Sequence, residues 1–158
     1  MILVALGSNL DGLWGSPRQT VTRALVELNQ FPLRLIKTSS LIITKPFGVL
    51  NQPDFVNAVA VIETALSPEA LMAKLHSIER AAGRRRRKRW GPRCLDLDLL
   101  DYHGLRRSGA RNTLKPLRLP HPGIPERRFV LAPMLEVAAN WHHPITYLTP
   151  SDMLKKLR

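Results

Sequence analysis

The sequence predicts an α+β fold, in which a mostly antiparallel sheet carries helices on one of its faces. Two kinds of segment lead to this prediction. Short apolar or alternating segments, typical of strands, are interrupted twice by segments that open on Ser-Pro and continue with apolar residues at helical spacing. The resulting order, β-α-β-β-α-β with a helical tail, matches a ferredoxin-like sandwich. In such a fold the loops between strands are free to build a site on the sheet.

The first strand and the first helix are predicted near the N-terminus. Residues 2–6 form a continuous apolar run, as expected for a buried central strand. The segment Ser16–Gln19 then provides an N-cap serine, a proline in the first turn and a capping-box glutamine. We expect this helix to end between residues 29 and 32.

Two long strands are predicted on either side of a loop. Residues 33–44, rich in Leu, Ile and Thr, favour one strand, and residues 55–64 favour the other. Residues 45–53 contain two prolines and a glycine, which is typical of a loop. Because side chains alternate along a strand, Phe55 and Asn57 should share one face of the sheet.

The second half of the chain is predicted to contain another two helices. Ser67-Pro68 opens the first of them with the same capping pattern, and Gly83 is a natural residue to follow its C-terminus. Residues 103–120 are interpreted as a hairpin. Residues 126–139 predict a helix that Pro133 should break or kink. The C-terminal tail gives no clear pattern.

The most informative segment is Gly83–Asp101, GRRRRKRWGPRCLDLDLLD. Basic residues 84–89 precede a Trp-Gly-Pro turn and a predicted strand, Cys94–Asp101. Alternation along that strand places Asp96 and Asp98 on one face and leucines on the other. The two aspartate Cα atoms would lie roughly 7 Å apart, at about 3.3 Å per residue. Such a pair suits a magnesium site, since Mg²⁺ is commonly held by one or two carboxylates together with phosphate oxygens.

The charges around these aspartates favour the same interpretation. Between Arg80 and Pro125, 13 lysines and arginines accompany only three carboxylates, and the difference of +10 is nearly all of the chain's net charge of +12. Arginines bind phosphates through charge-assisted, often bidentate hydrogen bonds. The alternative is that residues 84–89 form a solvated loop and the two aspartates only solubilise an exposed sheet face.

Composition limits the class of protein. The chain has 158 residues, of which 44% are hydrophobic and 23% charged, and we expect one globular domain spanning residues 1–158. The single cysteine, Cys94, cannot form an internal disulfide, which favours a reducing, cytoplasmic compartment. No apolar run reaches the length of a membrane span, and Met1–Leu6 lacks the basic region of a signal peptide. A monomer is expected.

Five ordered motifs lie between residues 5 and 136. They are LGSNL at 6–10, TKPFG at 44–48, QPDFVN at 52–57, RWGPRCLDLDLL at 89–100, and PHP with ERRF at 120–122 and 126–129. Together they resemble the 6-hydroxymethyl-7,8-dihydropterin pyrophosphokinase family, whose fold is ferredoxin-like. The resemblance implies the transfer of pyrophosphate from ATP to the hydroxymethyl oxygen of the pterin, with release of AMP, in folate biosynthesis.

The resemblance also assigns residues to ATP and metal. Asp96 and Asp98 would bind two Mg²⁺ ions that bridge the triphosphate, and they would form the catalytic set together with Arg84 and Arg93. Besides the two arginines, the ATP-binding candidates are Glu79, Arg86, Arg89, Trp90, His121 and Arg127.

A second group is assigned to the pterin. By resemblance, Phe55 and Phe129 would stack on the two faces of the ring, and Asn57 would offer its edge both a donor and an acceptor. Further contacts would come from Thr44, Pro46, Phe47 and Asp96.

Several candidates have a structural alternative. Phe55 and Phe129 could be core aromatics, His121 could be a turn histidine, and Glu79 could be an ordinary carboxylate on a helix surface. The histidines without metal-site spacing are interpreted as structural; they are His76, His103, His142 and His143. His76 nevertheless stands where the family can place a glutamine near the nucleotide, and Pro122 stands where an aromatic can follow the histidine.

Two other functions are compatible with parts of this pattern. A nucleic-acid-binding module would account for the net charge, but the strand Leu95–Asp101 lacks the alternating aromatics of a ferredoxin-like RNA-binding sheet. A domain that binds magnesium–ATP without catalysis would release no AMP. We favour the pyrophosphokinase, with ATP and 6-hydroxymethyl-7,8-dihydropterin as partners and with no membrane or nucleic-acid partner.

Overall fold

A five-stranded antiparallel sheet forms the centre of the structure, a computed structural model that describes residues 1–46, 51–83, 93–109 and 117–157. Its strands are β1 (Ile2–Ser8), β2 (Leu33–Thr38), β3 (Ile42–Thr44), β4 (Phe55–Thr64) and β5 (Asp96–Tyr102). The strand order is β2-β4-β1-β5, and β3 pairs with the first residues of β4. Every pairing is antiparallel, which confirms the predicted sheet.

Four α-helices pack on this sheet. They are α1 (Pro17–Glu27), α2 (Pro68–Ala81), α3 (Arg128–Val137) and α4 (Pro150–Lys156). The predicted capping box opens α1: Ser16 Oγ accepts a hydrogen bond from the Gln19 N–H at 3.3 Å, and Gln19 Oε1 accepts one from the Ser16 N–H at 2.9 Å. Ser67 caps α2 through one hydrogen bond, which its Oγ accepts from the Ala70 N–H. The serine-proline pattern therefore marked both starts correctly.

The helices cover both faces of the sheet, so the prediction that they lie on one face was wrong. Along β1, Ile2 and Leu6 point toward the core formed with α1 and α2, whereas Leu3 points toward a second core formed with α3 and α4. On β4, Val59 and Val61 join the second core as well. Strands that are apolar on both faces must be covered on both faces.

The single long strand predicted for residues 33–44 is in fact two strands. Ser39 ends β2, and its Oγ accepts a hydrogen bond from the Val59 N–H at 2.9 Å. The next residue, Ser40, donates from its N–H and its hydroxyl to the Glu136 carboxylate on α3. The interruption is local, because the Ser39 N–H still donates to the Val59 carbonyl at 2.9 Å and β3 then resumes pairing with the same strand, β4.

The C-terminal region also differs from expectation. Pro133 lies inside α3 without ending it, since its missing N–H removes only one helical hydrogen bond. The tail that gave no pattern forms α4, which begins with a capping box between Thr149 and Asp152. Trp141 is buried and donates its Nε1–H to Asp101 Oδ2 at 3.1 Å, which ties the tail to β5.

The remaining elements lie around the sheet edge near β5. The short strands β6 (Arg107–Ser108) and β7 (Arg118–Leu119) pair antiparallel, which agrees with the hairpin predicted for residues 103–120, although residues 110–116 between them lie outside the described ranges. A short 3-10 helix, Ile124–Glu126, then leads into α3. Within the described ranges, none of the helices is both long enough and apolar enough to cross a membrane.

Candidate active site

A cleft of about 570 Å³ opens beside the ends of β1, β4 and β5. The first turn of α3, the turn at residues 120–123 and one side of α2 complete its walls. Ten of the predicted site residues line it: Thr44, Phe55, Asn57, Glu79, Arg93, Asp96, Asp98, His121, Arg127 and Phe129. These ten residues, which are separated by as many as 85 positions in sequence between Thr44 and Phe129, thus meet in one space.

Two carboxylates project into this cleft from β5. Asp96 pairs with Gly7 and Asp98 with Ala5 in the β1 ladder. The intervening side chain, Leu97, is buried on the opposite face together with Leu99. The predicted alternation of aspartates and leucines is therefore confirmed.

Each of these aspartates has an arginine partner. Arg93 Nη1 lies 3.4 Å from Asp96 Oδ1, and Arg127 Nη1 lies 3.7 Å from Asp98 Oδ2. The third carboxylate of the strand, Asp101, instead holds Trp141 at the other end of the sheet. Asp96 and Asp98 of β5 therefore face the cleft, whereas Asp101 of the same strand has a structural role.

The pKa of Asp98 is raised to about 8. Burial is the largest cause, and the negative charges of Asp96 and Glu79 add to it, whereas the positive charges of Arg127 and Arg93 oppose it. Although buried among these groups, the side chain keeps about 30% of its surface open to the cleft. A bound cation would offset the electrostatic repulsion between two carboxylates that are held together in this way.

Glu79 lies behind the aspartates. Its side chain is buried, and Oε2 accepts a hydrogen bond from the Leu97 N–H at 2.8 Å. The alternative of an ordinary carboxylate on the helix surface is therefore wrong. Glu79 joins α2 to β5, and its charge reaches Asp98. Its contact with the nucleotide stays a prediction.

His121 lies in the turn that closes the cleft opposite β5. Its backbone N–H donates to the Leu100 carbonyl at 2.8 Å, and its Nδ1 accepts from the Gly123 N–H at 3.0 Å. Burial first, and then the charges of Arg127 and Arg118, lower the pKa of His121 to about 4, against the opposing charge of Asp96. At neutral pH the ring is therefore uncharged, with its proton on Nε2.

Asn57 and its neighbours form the floor of the cleft. Asn57 is buried, and its Nδ2 donates to Thr44 Oγ1. A Cβ atom at Gly7, its partner on β1, would lie 2.8 Å from Asn57 Oδ1. Glycine at this position therefore leaves the room that the amide occupies.

The two predicted aromatics flank this floor. Phe55 and Phe129 are both half-buried and line the cleft. Phe129 also packs against the core formed with α3 and α4, so it serves both as a core aromatic and as a wall. The stacking of a ring between them stays a prediction.

The remaining predicted site residues are one described residue and five that the structure does not describe. Pro46 is described but is not among the residues that line it. Five others lie outside the described residues: Phe47, Arg84, Arg86, Arg89 and Trp90.

The cleft also contains residues that the sequence did not single out as ligand contacts. His76 lines it one helical turn before Glu79, a spacing that places both on one face of α2. Arg118 entered only as part of the charge count. The resemblance placed His76 where the family can have a glutamine near the nucleotide, Gly7 and Lys45 lay inside motifs, and Gly123 followed the PHP motif, but none of them was assigned a ligand contact.

The two β5 carboxylates suit a hard cation. Oxygen ligands are those that Mg²⁺ prefers, and Mg²⁺ usually keeps waters or takes phosphate oxygens in its other positions. Within the described residues, no group of three His, Cys, Asp or Glu side chains converges on a point that could hold a metal. Asp96 and Asp98 would therefore supply part of a coordination shell that a phosphate ligand completes.

Comparisons with known proteins identify the family of the chain. Residues 3–139 match the family model described as 7,8-dihydro-6-hydroxymethylpterin-pyrophosphokinase. A Haemophilus influenzae protein named 2-amino-4-hydroxy-6-hydroxymethyldihydropteridine pyrophosphokinase is 42% identical over 87% of this chain and 81% of its own length. The folic acid synthesis protein fol1 of Pneumocystis carinii is 33% identical over 99% of this chain, which spans only 20% of that relative.

The fold also matches a solved structure. The crystal structure of Plasmodium falciparum HPPK-DHPS aligns with a TM-score of 0.73 and 13% identity, over 98% of this chain and 43% of that one. At this identity the likeness shows the fold. The sequence matches show more: the chain belongs to the 7,8-dihydro-6-hydroxymethylpterin-pyrophosphokinase family of enzymes.

Proposed function

We propose that this protein transfers a pyrophosphoryl group from ATP to 6-hydroxymethyl-7,8-dihydropterin and releases AMP, as a step of folate biosynthesis. One observation carries the proposal. A single cleft joins the paired carboxylates Asp96 and Asp98, the arginines beside them, and a polar floor at Asn57. The relatives named pyrophosphokinases support the same reaction.

The bond changes define what the site must do. The hydroxymethyl oxygen of the pterin attacks the β-phosphorus of ATP and loses its proton. The bond from the β-phosphorus to the α–β bridging oxygen breaks, and AMP leaves with that oxygen. Because little covalent work falls to the protein, positioning and neutralisation of charge dominate catalysis.

The charged residues would divide this work. Asp96 and Asp98 would hold Mg²⁺, which when bound would neutralise the triphosphate and align it for in-line displacement. Arg93 and Arg127 would turn from the aspartates to phosphate oxygens. Of the residues outside the described ranges, Arg84 is proposed as a further catalytic arginine on the strength of the family motif.

His121 would contribute as a neutral donor. Its Nδ1 is taken by the Gly123 N–H, so its Nε2–H is the group left to donate to a phosphate oxygen. Because its pKa lies near 4, this donor would keep its state across the neutral pH range. Glu79 would order β5 behind the metal ligands.

The pterin would occupy the floor and the aromatic walls. Asn57, fixed by Thr44, would present its amide to the edge of the ring, and Phe55 and Phe129 would cover its faces. The pterin hydroxymethyl group would then point toward Asp96, the aspartate whose ladder partner, Gly7, also pairs with Asn57.

The position of the label in the products tests the reaction. With ATP labelled at the β-phosphorus, label should appear in the pterin product, and with ATP labelled at the α-phosphorus it should stay in AMP. Both outcomes should require the pterin and Mg²⁺. Formation of ADP with transfer of the γ-phosphorus alone would contradict pyrophosphoryl transfer, and ATP binding without any AMP would reduce the protein to a nucleotide-binding domain.

Gly7→Ala should weaken pterin binding selectively. The new Cβ would lie 2.8 Å from Asn57 Oδ1, so the amide must leave its position. We expect about tenfold weaker pterin binding, which is the loss of one or two hydrogen bonds, and little change in ATP binding. Equilibrium titration of each ligand separates the two effects. Equal weakening of both ligands would show that the substitution disturbs the sheet as a whole.

A further inference from the structure

Gly123 lies directly beneath the side chain of Arg127. A Cβ atom at Gly123 would lie 2.6 Å from Arg127 Nε and 2.7 Å from its Cζ. The backbone does not require glycine here, because its φ of −82° and ψ of −8° suit any residue. The space that the missing Cβ leaves is filled by the guanidinium group.

Arg127 is fixed on several sides. Its side chain is only 14% exposed, and Nη1 lies 3.7 Å from Asp98 Oδ2. Its Cζ lies 5.8 Å from the centre of the Phe129 ring. The turn, the carboxylate and the ring together define one position for the guanidinium.

We propose that Gly123 is a positioning residue that lets Arg127 lie across the turn and over Asp98, so that Arg127 occupies this carboxylate until a metal–triphosphate complex arrives. The proposal deepens the proposed function and rests on it where it takes Asp98 as a metal ligand. Gly123 would act through Arg127, without a substrate or metal contact of its own.

The consequence is a coupling between metal and triphosphate. A free Mg²⁺ ion competes with the Arg127 guanidinium for the same carboxylate and provides no new hydrogen-bond acceptor for the displaced guanidinium. A magnesium–triphosphate complex also brings phosphate oxygens, which the displaced guanidinium can bind bidentately. Arg127 should therefore weaken the binding of the ion alone and strengthen the binding of the complex, which is a positive coupling between the two ligands.

Gly123→Ala isolates this effect. Alanine keeps the backbone N–H that donates to His121 Nδ1, so the histidine retains its partner and its tautomer. It also suits the backbone conformation, and the three atoms nearest to the new Cβ all belong to the flexible side chain of Arg127 rather than to backbone. The fold should persist while the guanidinium moves.

A double-mutant cycle tests the proposal by calorimetry. The wild type, Gly123→Ala, Arg127→Gln and the double variant are titrated with Mg²⁺ alone and with Mg²⁺ plus the non-reactive analogue α,β-methylene-ATP. Gly123→Ala should weaken analogue binding by about tenfold and tighten Mg²⁺ binding severalfold, within the usual range of coupling between sites. Arg127→Gln should produce both changes in full, and the double variant should match Arg127→Gln.

Two results would overturn the proposal. If Gly123→Ala weakens analogue binding equally in the presence and absence of the Arg127 guanidinium, Gly123 does not act through that residue. If Arg127→Gln leaves the affinity for Mg²⁺ alone unchanged, the arginine does not occupy a metal ligand. Melting temperatures within a few degrees of the wild type establish that each variant is folded.

The cycle is independent of the reaction itself. Because the analogue is not turned over, the coupling is measured whether or not the protein acts on the pterin. If label transfer fails but the double-mutant cycle is non-additive, only the proposed reaction is refuted. If label transfer is normal but the cycle is additive, only the role of Gly123 is refuted.

Discussion

Asp98→Asn is expected to lower turnover by about a thousandfold or more, since metal stabilisation of a transition state supplies several kcal/mol and each 1.36 kcal/mol is tenfold in rate. The amide keeps the size of the side chain but loses the charge that would hold Mg²⁺. Steady-state AMP release at saturating ATP and pterin measures the effect. Glu63→Gln is the matched control, because it makes the same chemical change on an exposed residue of β4. A fully active Asp98→Asn enzyme would exclude the metal assignment.

The same substitution should stabilise the metal-free protein at neutral and alkaline pH. The pKa of Asp98 is raised in the folded state to about 8, so the folded protein favours the protonated carboxyl. This contribution to stability is complete below the unfolded pKa near 4 and is lost as pH rises through about 8. The amide cannot ionise and should escape the loss.

Thermal unfolding in the presence of a chelator measures this difference. The melting temperatures of the wild type and Asp98→Asn should be close near pH 4.5 or below and should separate by a few degrees by about pH 8, with the variant higher. A constant difference across this range would mean that Asp98 titrates normally. The opposing effects on stability and turnover would identify Asp98 as a residue kept for function.

Arg93→Ala is expected to have the second largest effect, a loss of about a hundredfold to a thousandfold in turnover, as for removal of one preorganised donor to a developing charge. The Arg93 backbone is held by Asn9, whose Oδ1 accepts from the Arg93 N–H at 2.9 Å and whose N–H donates to the Arg93 carbonyl at 3.0 Å. The guanidinium is thus presented to Asp96 from a fixed point. AMP release again gives the rate.

Two further variants show whether the loss of turnover in Arg93→Ala comes from a local phosphate contact or from the overall charge of the protein. Arg34→Ala removes the same charge from an exposed position on β2 and should leave turnover unchanged. Arg93→Lys keeps the charge but loses the planar fork, so it should recover only part of the activity. Equal losses in Arg34→Ala and Arg93→Ala would point to the overall field of the protein rather than to a local phosphate contact.

Much of the architecture follows from local patterns. Helix starts at the capping serines 16 and 67 depend on contacts within a few residues, so they can be predicted from the sequence. The same holds for the alternation of Asp96 and Asp98 with leucines along β5. The run at residues 2–6 predicted a buried strand correctly. Because this run is apolar at every position, it also implies that other elements cover both faces of the sheet. The expectation of helices on one face did not take this into account.

Other features depend on contacts between distant residues. Residues 33–44 have a strand-forming composition throughout, and the break at Ser39 arises from its bond to Val59 and from the bonds of Ser40 to Glu136. The start of α4 repeats the pattern of a capping residue followed by proline, so this helix could have been predicted at Thr149. The docking of its neighbour Trp141 on Asp101 could not.

In the site, too, some features follow from local sequence patterns and others depend on contacts between distant residues. The motifs contain nine of the ten predicted residues that line the cleft, because each motif carries its residues to a strand end or turn, and the tenth, Glu79, was assigned by the family resemblance alone. The pairing of Arg127 with Asp98 and the roles of Gly7 and Gly123 are properties of distance between segments. A glycine in a sequence indicates freedom of the backbone, whereas here it provides space for another side chain.

The most direct test of the account is a crystal structure of the protein with Mg²⁺, α,β-methylene-ATP and 6-hydroxymethylpterin. We predict metal ions bound by Asp96 and Asp98, phosphate oxygens bound by Arg93 and Arg127, and the pterin ring between Phe55 and Phe129 with its edge on Asn57. Density for the triphosphate or the pterin outside this cleft, or metal bound without either aspartate, would contradict the account.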